Sequence, residues 1–217
     1  YASRGLGDVY KRQGFFAWVE WVIHTGTTYV FSCTAALIVP FVQVYTFGIN
    51  DANYIQPAFA VLLTLANAMH CLRLPYNIMV LAAGHYRQTQ KNYIVAAILN
   101  ILVSILTVKV WGLIGVAIGT LVAMTYQTMW LAVYDSRHFI FWSLKNVTKQ
   151  FAIDTLSAAL IIVFGSRMSL KEPSYINWIF MAVNVAVMAL VVVVGMNLMF
   201  YKNRVKQLAN RLWRKNT

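Results

Sequence analysis

Asn67, His70, Arg73 and Asn77 follow one another at spacings of three, three and four inside an otherwise apolar run. At about 100° per residue they share an arc of roughly 120° on one helix face, with Thr64 just beside it. A guanidinium flanked by an imidazole and two carboxamides is equipped to hold something polar or anionic. Arg73 stands ten residues before Ala83, the end of its run, which is about 15 Å along a helix. An ionisable side chain that deep in a membrane run costs about 2.5–3.5 kcal/mol on insertion scales and faces a cavity or a partner. Two readings follow: Arg73 lines a cavity, or it pairs structurally with an acid such as Glu20. Pro75 removes one helical hydrogen bond and can kink the run, and freed carbonyls are tolerated where they line a cavity.

Two further runs carry weaker stripes. Glu20, His24, Thr27 and Thr28 lie on the first, and Asn100, Ser104 and Thr107 on a later one. Asn100 and Ser104 are also residue types that hydrogen-bond from helix to helix in membranes. Asp154 falls near one end of its run and reads as an interfacial residue. Gly115 and Gly119 form Gly-x-x-x-Gly, a spacing that lets helix backbones approach closely. The four histidines lack His-Glu-x-x-His spacing, and Cys33 and Cys71 form no Cys-x-x-Cys. No nucleophile has a paired base and no two carboxylates stand at a workable spacing. The sequence therefore points to no enzyme, no metal site and no cofactor.

The elements that carry these residues belong to a membrane. Of 217 residues, 60% are hydrophobic and 11% charged, against about 25% charged in soluble domains. A transmembrane helix needs about 20 mostly apolar residues. Six runs qualify: 21–47, 58–83 (interrupted by Pro75), 93–110, 113–133, 151–166 and 176–201. The third and fourth are separated only by Trp111-Gly112. The expected fold is an all-α membrane protein, a polytopic bundle of six transmembrane helices.

The net charge of +12 does not indicate nucleic-acid binding, because the basic residues sit between or just after the apolar runs. Arg87 and Lys91, Arg137, Lys145 and Lys149, and six Lys or Arg after Tyr201 alternate onto one side. Only Lys109, Arg167 and Lys171 fall on the other. Lys and Arg favour cytoplasmic loops, so the 84–92 loop, the 134–150 loop and the tail should face the cytoplasm, and the 48–57 segment outward. The tail, residues 202–217, places Val205, Leu208 and Leu212 near one helical face, as a basic amphipathic segment on anionic lipid would. Residues 1–13, "YASRGLGDVYKRQ", resemble translated sequencing-adapter sequence and are set apart as foreign to the lobe formed by 14–201. On that reading the gene product extends upstream.

Five pieces occur in order: "YTFGINDANY", "RLPYN", "AAGHYRQTQ", "NILVSI" and "GLIGVAIGT". From about Phe41 to Tyr134 the chain resembles the C-terminal half of bacterial polysaccharide flippases of the multidrug/oligosaccharidyl-lipid/polysaccharide exporter superfamily. The resemblance implies two six-helix lobes around a central cavity with alternating access, of which this chain is the second. It implies a multi-pass protein of the bacterial plasma membrane. It also implies a lipid-linked oligosaccharide on a diphosphate carrier as cargo, membrane lipids and an N-terminal lobe as partners, and an ion gradient or exchange as driving force. Arg73, in "RLPYN", is the residue the resemblance offers as a headgroup contact, with His70 and Asn77 beside it. Three alternatives stand beside it. A multidrug exporter of the same superfamily would want an acid deep in a helix. An enzyme of polysaccharide assembly would want a large external loop. An assembly protein would show Arg73 paired and no open stripe.

Overall fold

Inside a bilayer every backbone N–H and C=O must find its partner within the protein, which leaves helices as the local solution for apolar runs of this length. The computed structural model describes residues 2–139, 144–168, 170 and 172–213. Its six helices are α1 (Ala2–Tyr45), α2 (Pro57–Ala82), α3 (Tyr86–Trp111), α4 (Leu113–His138), α5 (Leu144–Gly165) and α6 (Tyr175–Trp213). Each contains a segment long and apolar enough to cross a membrane. The chain is an all-helical, multi-pass membrane protein.

Several boundaries differ from the sequence reading. The helix of α1 begins at Ala2 and takes in the stretch set apart above. The polar 84–92 loop is shorter than expected: α3 starts at Tyr86, so Arg87 and Lys91 ride on its first turns. In a helix these polar residues can satisfy their own backbone, and the break falls instead on Gly84. Its positive φ of 71° lets His85 N–H reach the Val80 carbonyl and Gly84 N–H the Leu81 carbonyl, each at 3.0 Å. That is the hydrogen-bond pattern of a glycine-terminated helix. Pro75 does not interrupt α2, which runs through it to Ala82. Gly112, with φ of 57°, ends α3 and caps α4, so Trp111-Gly112 divides two helices as expected. The span of α6 breaks its helical geometry at Tyr201 (φ −133°, ψ 35°), which sets the basic 202–213 segment at an angle to it. Lys171, Arg214 and Lys215 of the charge count lie outside the described residues, as do the side chains of Arg211 and Leu212.

Packing divides the helices into two groups joined through α1. α4 lies between α2 and α3, while α1 packs on α2, α5 and α6. α1 and α6 run antiparallel: Trp178 Nε1 donates to the Leu37 carbonyl at one end, and Arg204 Nη1 to the Ala17 carbonyl at the other. His85 meets the Tyr134 hydroxyl at 2.9 Å, and Lys149 lies over the Tyr201 ring at 5.0 Å. The segments bearing most of the basic residues thus gather at one end of the bundle, here called the basic end.

The α3–α4 seam is set by the two small residues of the Gly-x-x-x-Gly pair. A Cβ added to Gly119 would stand 2.9 Å from the Asn100 carbonyl oxygen, and one on Gly115 2.6 Å from the Val108 nitrogen. Neither neighbour is a side chain that can swing aside. Gly119→Val should destabilise the protein by about 1–3 kcal/mol, the usual range for overpacking. Gly195→Ala, where nothing lies within 4 Å of the added carbon, should leave stability unchanged or raised by roughly 0.5–1 kcal/mol. Thermal unfolding of both variants in detergent checks the contrast.

Candidate functional site: an arginine flank on α2 and a buried polar seam on α1

The seven residues singled out from sequence separate into three places. The first is the flank of α2. Asn67 and His70 are exposed, Asn77 is half-buried, and Arg73 is 9% exposed. Arg73 Nη2 lies 2.7 Å from His70 Nδ1, and the guanidinium carbon sits 5.8 Å from the centre of the Tyr93 ring on α3. The Tyr93 hydroxyl donates to Asn77 Oδ1 at 2.6 Å. Asn67 donates to the Leu63 carbonyl and borders a cavity of about 390 Å³ between α1 and α2, lined otherwise mostly by apolar side chains. The three-three-four spacing therefore yields one continuous polar flank.

The pairing of Arg73 with Glu20 does not occur. Among the described residues no carboxylate forms an ion pair with Arg73, and its Nε is buried without a hydrogen-bond partner. Glu20 points the other way, into the protein, because the Tyr76 hydroxyl holds it. A guanidinium that keeps free N–H donors beside an exposed polar flank is suited to an anionic ligand, since its planar fork matches two acceptor oxygens at once.

The second place is the core, where Glu20 and His24 meet residues that the sequence reading did not single out. Glu20 is 4% exposed and accepts the Tyr76 hydroxyl at 2.6 Å. His24 is fully buried, with Nδ1 2.5 Å from Asp154 Oδ2. Gln150 Nε2 donates to the other Asp154 oxygen at 3.1 Å. Trp21 Nε1 donates to Asn197 Oδ1 on α6 at 2.6 Å. Asp154 is thus a buried partner and not an interfacial residue, because α5 starts at Leu144 and carries it about 15 Å inward. Asp135 on α4 is fully buried too, and neither of its carboxylate oxygens has a partner among the described residues.

The third place holds Asn100 alone. Its Oδ1 accepts the Ser104 hydroxyl at 3.2 Å, and both residues border Gly119 in the α3–α4 seam. Asn100 is a packing residue and does not join the Arg73 flank. Among the described residues no three His, Cys, Asp or Glu side chains group to hold a metal ion.

No family model, curated protein or solved structure matches the chain.

The flank and the core should respond differently to substitution. Tyr76→Phe removes the hydroxyl from buried Glu20 and should destabilise the fold by about 1–3 kcal/mol, the range for stranding a buried polar group. Asn67→Ala, on the exposed flank, should change stability by no more than roughly 0.5 kcal/mol. Unfolding midpoints of the two purified variants measure the difference.

Proposed function

We propose that this chain forms one lobe of a transporter that moves a lipid-linked oligosaccharide across the bacterial plasma membrane for cell-surface polysaccharide synthesis. The observation that carries the proposal is Arg73. It is held on a membrane helix with no carboxylate paired to it among the described residues, beside His70, Asn67 and Asn77. Desolvating a guanidinium and leaving it without a counter-charge is unfavourable, so an arrangement of this kind is accounted for by an anion that comes and goes. A diphosphate linking a glycan to its carrier lipid has the right charge and acceptor oxygens. The resemblance of the five sequence pieces to polysaccharide flippases supports the same reading, as does the lack of an acid on the flank among the described residues.

A second reading, a cation-coupled multidrug exporter of the same superfamily, draws on a different observation. Glu20 and Asp154 are acids held deep in membrane helices, the feature such an exporter requires. The two readings part on Arg73, which would repel a cationic drug.

Arg73→Ala in the full-length protein, expressed in cells lacking the chromosomal copy, should reduce surface glycan export by tenfold or more while leaving the amount of protein in the membrane unchanged. Arg73→Lys, which keeps the charge but not the fork, should fall between. Normal export by Arg73→Ala rejects the flippase reading. Hypersensitivity of the deletion strain to cationic dyes, complemented by Arg73→Ala, would establish the exporter instead.

A further inference from the structure

We infer that the angle where α6 breaks at Tyr201 forms, with α5 and α1, a binding site for the headgroup phosphate of an anionic phospholipid in the leaflet at the basic end. The site lies on helices other than those of the Arg73 flank and does not depend on the transport reading.

The break brings two cations onto one ring. Lys149 Nζ, on α5, stands 5.0 Å from the centre of the Tyr201 ring, and the Arg204 guanidinium carbon, on the segment past the break, stands 5.4 Å from it. A ring face attracts a cation through its quadrupole but does not neutralise it. Among the described residues neither cation forms an ion pair with a carboxylate. Arg204 Nη1 donates to the Ala17 carbonyl at 2.7 Å. That bond fixes the head of the side chain and leaves the other N–H groups of the fork for a ligand.

Here lies a cavity of about 90 Å³, lined by Glu20, Asn146, Lys149, Gln150, Tyr201 and Arg204, each of which carries a polar group. Glu20 and Gln150 form its closed side. Both are buried, Glu20 accepting the Tyr76 hydroxyl and Gln150 donating to the Asp154 carboxylate. Asn146 and Lys149 are exposed and Arg204 is half-buried, so an anion arriving from outside meets donors before it meets Glu20. With Glu20 ionised, Lys149 and Arg204 leave the lining with one net positive charge. That is the counterpart of the single negative charge of a phosphodiester. An anion held by both cations ties α5 to the segment past the break and, through Ala17, to α1.

The surroundings select a lipid. Val187, Val191, Val194 and Leu198 form an exposed apolar stripe down α6, and at helical spacing that stripe leads to Tyr201. Acyl chains lying on it bring their headgroup to the break. Tyrosine is itself enriched at the level of lipid headgroups. Beyond the cavity, Lys145 stands one turn before Lys149, and Lys202 and Lys206 stand on either side of Arg204, all three exposed. They favour a headgroup of net negative charge, such as a phosphoglycerol, over a zwitterionic one whose outer group is a cation. Val205 and Leu208 do not line the cavity, so the site is separate from the amphipathic face of the tail.

Native mass spectrometry of the full-length protein, released from detergent containing phosphatidylglycerol or phosphatidylcholine, tests the site. Wild type should retain phosphatidylglycerol about tenfold more tightly than phosphatidylcholine. Lys149→Glu, which leaves the bond from Arg204 to Ala17 in place, should remove that preference, and Lys149→Gln should reduce it by a smaller factor. Arg87→Glu makes the same change of charge at the same end, on α3, and should keep the preference. Equal retention of the two lipids by wild type, or an unchanged preference in both Lys149 variants, overturns the site. Loss of the preference in Arg87→Glu overturns it as well, because the attraction then belongs to the basic end as a whole. A thermal-shift titration separates the two sources of phosphate. Phosphatidylglycerol should raise the unfolding midpoint of wild type and not that of Lys149→Glu, while inorganic phosphate at the same concentration should raise neither. Protection by inorganic phosphate equal to that by the lipid overturns the headgroup assignment.

Discussion

Within one turn of α1, Glu20, Trp21 and His24 hydrogen-bond to three different helices: to Tyr76 on α2, Asn197 on α6 and Asp154 on α5. In an apolar surrounding such bonds have no water to exchange with. Each therefore fixes both the rotation of α1 and its height against a neighbour. Apolar packing alone would not do so, because lipid tails are as apolar as leucine and slippage along a smooth seam changes little. The rest of the architecture depends on this turn. α5 and α6 touch the remainder of the bundle mainly through α1, and α1 is also what connects them to the α2–α4 group.

The two polar regions of the molecule solve opposite problems. In the core, Glu20, Trp21 and His24 find internal partners and lie close to fully buried. On α2, Arg73 is held by His70 and the Tyr93 ring, neither of which neutralises it. Polar groups deep in a membrane protein that are completed internally give shape, and those left incomplete invite a ligand. Tyr76 and Arg73 stand three residues apart on α2, about 60° around the helix, so the closed region and the open region adjoin on that helix.

Much of this organisation was legible in the sequence. Six apolar runs gave six helices, Gly84 and Gly112 marked breaks through the backbone freedom that positive φ requires, and helical spacing placed Asn67, His70, Arg73 and Asn77 on one flank. What could not be read were partners distant in sequence. His24 and Asp154 lie 130 residues apart, and periodicity within a helix carries no information about which turn of another helix it meets. Asp154 looked interfacial because the apolar run was begun at Phe151, whereas the helix starts at Leu144. Asp135 was hidden among charged neighbours in "YDSRH", which read as a loop but forms the last turn of α4. Asn100 was grouped with the cavity because its type fits either role. Only the contact with Gly119 settles it as packing.

The connection between α3 and α4 has a consequence for biogenesis. One residue, Gly112, separates two helices of 26 residues each, leaving no chain to spool out while the first helix waits in the bilayer for the second. With the orientation expected from the basic loops, Lys109 and Trp111, at the tip, cross the hydrocarbon together with the start of α4. The pair is therefore best understood as entering the membrane folded back on itself, with Gly115 and Gly119 already seated against α3 as it leaves the translocon. Synthesis would then have to run past α4 before α3 could settle.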